Sequence, residues 1–118
     1  MVRDEGTTDR LRRLISKIKA LTDTGELHWE KQLGSAHRYA RLDNNLLILG
    51  PSAALHDKTA PRYLFVTPFD SPHCIEVNTE DAQLGRAVLE LVASVESVTR
   101  HQKPTDPFAL TKEFLAGL

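Results

Sequence analysis

Leu27-His28-Trp29-Glu30-Lys31-Gln32-Leu33, the pair Gly34-Ser35, Ala36 to Leu42, the triplet Asp43-Asn44-Asn45 and Leu46-Leu47-Ile48-Leu49 follow one another without interruption. In the first run Leu27, Trp29 and Leu33 fall on one side of a two-residue period, the signature of a half-buried strand. Glycine, serine, aspartate and asparagine then punctuate the stretch where hairpin turns belong, and asparagine tolerates the positive φ that tight turns require. Treating Gly34-Ser35 and Asn44-Asn45 as two-residue loops sets a register. Leu27 then faces Leu42 and Leu47, Trp29 faces Ala40 and Leu49, and Leu33 faces Ala36. All of them share one side, because side chains alternate strictly across a strand. The opposite side collects His28, Glu30, Gln32, His37, Tyr39, Arg41, Leu46 and Ile48. Two independent turns thus agree on one apolar face, which predicts an antiparallel meander.

Before the meander, Leu11, Leu14, Ile15, Ile18 and Leu21 trace one stripe of a 3.6-residue period. This predicts a helix over 9–24, capped by Thr7, Thr8 or Asp9 and ended before Gly25. Residues 1–8 are expected to be disordered. After it, Gly50 to Pro61 is the longest connector, with room for one helical turn at Ser52 to Asp57. A fourth strand, Arg62 to Thr67, is apolar on both sides, which suits an interior position, and Pro68 ends its pairing. The turn Asp70-Ser71-Pro72-His73 leads into a fifth strand, Cys74 to Val77, so the meander spans 27–77. Leu84, Val88, Leu91, Val95 and Val98 then predict a long helix over 79–102. Asn78 or Thr79 would cap it, Glu80 and Asp81 would complement its dipole, and Lys103-Pro104 would stop it. Phe108, Leu110, Phe114 and Leu115 suit a short helix over 106–118. Strands and helices are segregated along the chain, so residues 1–118 read as a single α+β domain with the helices on the Leu27/Trp29/Leu42/Leu49 face.

Composition limits the function classes. Leu, Ile, Val and Phe make up about 27% of the 118 residues, enough for a packed core. The only Cys removes a disulfide framework and any cysteine-rich zinc site. The start Met1-Val2-Arg3-Asp4-Glu5 lacks the apolar stretch of a secretory signal, and Leu46 to Leu49 is the longest aliphatic run, far too short to span a bilayer. A cytoplasmic protein without a membrane partner is expected. The net charge of −1 argues against nucleic acid as the general partner. The charge is unevenly spread, however: Arg10, Arg12, Arg13, Lys17 and Lys19 fall between positions 10 and 19 with no acid among them.

Few residues suggest chemistry. Cys and His make a nucleophile pair when their side chains meet, yet His73 and Cys74 are neighbours in a strand and point to opposite sides. The expected reading is a small buried cysteine beside a turn histidine, and Ser71 lacks an orienting acid. His28, His37, His56, His73 and His101 show no metal-ligand spacing, and single glycines make no phosphate loop. No catalytic residue, metal or cofactor is expected. A small enzyme centred on His73, Cys74 and Ser71 ranks third. An accessory protein that meets nucleic acid through Arg10, Arg12, Arg13, Lys17 and Lys19 ranks second.

The outer face of the meander ranks first. Tyr39, Leu46 and Ile48 between His28, Glu30 and Arg41 have the make-up of an interface, an apolar and aromatic centre with a charged rim. The expected partner is a protein, either a larger one or a second copy in a homodimer. The succession Gly25-Glu26-Leu27-His28-Trp29-Glu30-Lys31, Tyr39-Ala40-Arg41-Leu42, Leu46-Leu47-Ile48-Leu49 and Tyr63-Leu64-Phe65-Val66, followed by a long helix, resembles small bacterial α+β proteins of unknown function. Those proteins have a helix–GxLxWE–antiparallel meander–helix layout. The resemblance implies the fold, with Trp29 as a core anchor, and no chemistry.

Overall fold

The computed structural model describes residues 4–33, 35–51, 61–70 and 73–103. Its elements are α1 (Glu5–Asp23), β1 (Trp29–Lys31), β2 (Arg38–Leu42), β3 (Asn45–Gly50), β4 (Tyr63–Pro68), β5 (Ile75–Asn78) and α2 (Gly85–Thr99). The five strands form one antiparallel sheet in sequence order, so the chain is α+β with an antiparallel meander. The expected helix over 106–118, the helical turn at 52–57, Gly34 and Ser71 lie outside the described residues.

The first helix begins at Glu5, earlier than expected and within the stretch expected to be disordered, because Asp4 supplies the cap. Its carboxylate accepts the Thr7 N–H at 2.6 Å, satisfying one of the orphan donors of the first turn. That bond holds the Asp4 carboxyl below its ordinary value. Leu11, Ile15 and Ile18 are buried, and the chain leaves the helix through Gly25 at φ 80°.

β1 and β2 pair Trp29 with Ala40, in the expected register. Regular pairing stops at Lys31, though, and the turn is closed by the Ser35 N–H donating to the Gln32 carbonyl. Leu33 therefore sits in a turn, exposed, and leaves the apolar face to which its parity assigned it. The second hairpin departs by two residues. Asp43, at φ 53°, forms the tight turn with Asn44, so Leu42 pairs with Asn45 and Ala40 with Leu47. A slip of one residue would have turned every side chain over; a slip of two preserves the faces. Ala40, Leu47 and Leu49 are buried as expected. β4 pairs with both β3 and β5, in line with its apolar pattern, and Pro68 still takes part opposite Asn45.

The core joins Leu11, Ile15 and Ile18 of α1, Trp29, Ala40, Leu47, Leu49, Leu64, Val66 and Val77 of the sheet, and Val88, Leu91, Val92 and Val95 of α2. Trp29 is 1% exposed. Its indole N–H donates to Thr22 Oγ1 at 2.9 Å, and that hydroxyl donates on to the Ile18 carbonyl at 2.7 Å. Arg38 stands on the core side of β2 and reaches Thr99 Oγ1 at 3.3 Å, with burial pushing its guanidinium below the usual range against the pull of Glu96.

α2 starts six residues later than the sequence suggests. The Asp81 carboxylate accepts the N–H groups of Gln83 and Leu84, and Asn78 Oδ1 accepts that of Glu80, so the caps hold turns rather than a helix. Val98 is exposed and Thr99 takes the buried place in the last turn. Gly85 is buried where the chain doubles back on Thr79, and a Cβ there would run into the Thr79 carbonyl. Gly85→Ala should therefore lower stability by about 1–3 kcal/mol in a denaturant titration, the range for overpacking against atoms that cannot step aside. An unchanged midpoint would contradict this packing.

Candidate interaction surface

The sheet register builds one continuous row across the side opposite the core: Glu30 pairs with Tyr39, Tyr39 with Ile48, Ile48 with Phe65 and Phe65 with Glu76. Charged residues stand at both ends and aromatic and aliphatic ones in the middle. Tyr63 stacks on Phe65 at 6.0 Å between ring centroids, and the two are half-buried. Arg41 lies next to the row, paired with Leu46, and its guanidinium carbon sits 5.3 Å from the Phe69 ring centroid. That contact is a cation–π distance and gives the guanidinium a defined direction. The Tyr39 hydroxyl lies 2.8 Å from Ser35 Oγ, which fixes the ring at the end of the first hairpin.

Of the residues that sequence reasoning assigned to this face, His28, Glu30, Tyr39, Arg41 and Leu46 line one open groove of about 600 Å³, together with Glu26 and Gln32. Ile48 lies outside the groove, next to Tyr39 in the row. His28, Glu30 and Arg41 are exposed; Tyr39, Leu46 and Ile48 are half-buried. Sequence reasoning left out Phe65 and Glu76 because the connector 51–61 hides how β4 and β5 align with β3. β4 is apolar on both sides, so parity does not choose its outer face.

The basic stretch of α1 divides. Arg12 bonds Asp9 at 2.8 Å and Lys19 bonds Asp23 at 2.7 Å, both within the helix. The hydrogen bond from Lys19 holds the Asp23 carboxyl below its ordinary range, helped by Ser94, and the same contact raises Lys19. Arg10, Arg13 and Lys17 are exposed and form no ion pair among the described residues. Their three- and four-residue spacing puts them on one strip of the helix.

Cys74 is exposed, not the buried hydrophobe that its residue type suggested, because it precedes β5 in the approach from the turn. Thr67 Oγ1 donates to its sulfur at 3.3 Å. His73 beside it is exposed as well. Among the described residues no group of three or more His, Cys, Asp or Glu side chains is arranged to hold a metal ion. No helix among them is long and apolar enough to cross a membrane. No family model, no curated protein and no solved structure matches the chain.

Proposed function

We propose that this chain is a non-enzymatic interaction module whose outer sheet face docks a protein, and that the occupant is a second copy. The observation that carries the reading is the cross-strand row from Glu30 to Glu76, with its apolar centre and charged ends. Interfaces are built this way, and tyrosine and arginine are the residue types they enrich. Five strands at about 4.8 Å spacing make a face about 24 Å across, wide enough for a sheet-on-sheet contact. The groove beside the row holds Glu26 and Glu30 together with Arg41, so two copies facing each other supply both partners of a charge pair. A larger protein on the same face is the competing occupant.

Hydroxyl-radical footprinting over a range of protein concentrations tests the location. Tyr39, Leu46, Ile48, Tyr63 and Phe65 should become protected as concentration rises, while Leu33, Leu89 and Val98, exposed elsewhere, stay equally labelled. Protection that does not change with concentration removes the second copy from the face.

The second reading rests on the strip Arg10, Arg13 and Lys17. Three cations without an ion pair among the described residues give little phosphate neutralisation, so binding to duplex DNA near physiological salt should be weaker than about 10⁻⁴ M, below the usual non-specific range. A micromolar complex in an electrophoretic shift, abolished by Arg10→Glu with Arg13→Glu, would move nucleic acid to first place.

A further inference from the structure

The sheet has two edges, and the fold treats them differently. β1 is three residues long, and its outward side is occupied by the Gln102 side chain. The Gln102 amide donates to the Trp29 carbonyl at 2.7 Å and accepts the Lys31 N–H at 3.0 Å, completing the two backbone groups that a neighbouring strand would have used. Such covering is how natural sheets keep an edge from pairing.

β5 has no such cover among the described residues. The Thr79 N–H donates to the Arg62 carbonyl at 2.9 Å, and Leu64–Val77 and Val66–Ile75 continue that ladder. Alternation therefore turns the N–H and C=O of Glu76 away from β4, toward the open side. Ile75 is 41% exposed beside it, apolar surface that an added strand would cover. The charge along this edge has one sign. Asp70, Glu76 and Glu80 are exposed, and no Lys or Arg occurs from position 63 to position 85.

We infer that the β5 edge accepts an extended, basic segment of another protein by strand addition. Main-chain bonds to Glu76 supply the attachment and lysine or arginine side chains opposite Glu76 supply the selectivity. A second copy is the wrong occupant here. Antiparallel pairing of two β5 strands brings the Asp70–Glu76–Glu80 edge against itself, and like charges across strands destabilise the pair. Glu76 also ends the outer-face row, but the attachment here runs through its outward backbone groups, which a face-to-face contact leaves unpaired.

The probe is an acetylated and amidated hexapeptide of alternating Lys and Val, titrated into the full chain and followed by amide NMR. Resonances of β5 should shift, and exchange of the Glu76 amide should slow roughly tenfold or more at saturation. A hexapeptide of alternating Glu and Val should bind several-fold more weakly. Glu76→Pro removes the outward N–H and the carboxylate but no bond to β4, which an edge strand tolerates, and should abolish binding with the circular dichroism spectrum retained. If that variant fails to fold, Glu76→Arg serves instead and should invert the preference between the two peptides. Shifts confined to another surface, equal binding of both peptides, or exchange of the Glu76 amide that slows with rising protein concentration and no peptide would each overturn the inference.

Discussion

Trp29→Ala should cost about 3–5 kcal/mol, the range for emptying a fully buried aromatic site. For a domain with the usual 5–15 kcal/mol of stability this removes about a fifth of it or more. The reason lies in what Trp29 joins. Its ring fills the layer between α1 and the sheet, its indole N–H is tied to Thr22, and its carbonyl holds Gln102 after α2. Removing the ring leaves a cavity at the meeting point of three elements. Trp29→Phe keeps most of the volume and loses the indole bond, so it should cost less. Thermal melts of the two variants, followed by circular dichroism, check the order. A Trp29→Ala midpoint within a few degrees of wild type would contradict the packing described.

The residues that made the fold legible are those whose side chains obey a simple period. The stripe Leu11, Leu14, Ile15, Ile18 and Leu21 gave α1, and the alternation through Trp29, Ala40, Leu47 and Leu49 gave the buried side of the sheet. Short polar side chains were the obstacle. Asp4, Asp43, Asn78 and Asp81 each hydrogen-bond or adopt backbone conformations in ways that several neighbouring positions could also support, so the exact turn cannot be read from residue type. That is why the second hairpin moved by two residues and α2 started late. The outer face was legible through β3, where the turns are short. Beyond the connector 51–61 no local rule links the register of β4 to β3, and the Ile48–Phe65 pairing that completes the row had no sequence signal. Leu33 and Cys74 failed for a related reason: both lie in chain reversals, where strand parity does not govern burial.

Leu47→Asp and Ile48→Asp form a matched pair with opposite expected outcomes. The two residues are adjacent in β3 and face opposite sides of the sheet. Leu47 is fully buried in the core, so an aspartate there must either carry an unpaired charge into an apolar site or stay protonated at a large cost. The loss of the leucine alone is about 2–5 kcal/mol, and the carboxyl adds to it. Leu47→Asp should leave no folded protein at neutral pH, seen as loss of the cooperative melt. Ile48 is half-buried on the outer side, where a carboxylate can reach water in the isolated chain, so Ile48→Asp should retain the melt. If both variants unfold, the outer face is packed within the chain and is not a docking surface.

The most direct test of the docking reading is the solution mass of wild type and Ile48→Asp by light scattering after size exclusion, at matched concentrations. Wild type is expected at about twice the 13.2 kDa chain mass. Ile48→Asp is expected at the single-chain mass with unchanged circular dichroism, because the substitution buries a charge only when a second copy covers the face. A wild-type protein that runs as a single chain at every concentration, or an Ile48→Asp protein that keeps the doubled mass, would contradict the docking reading.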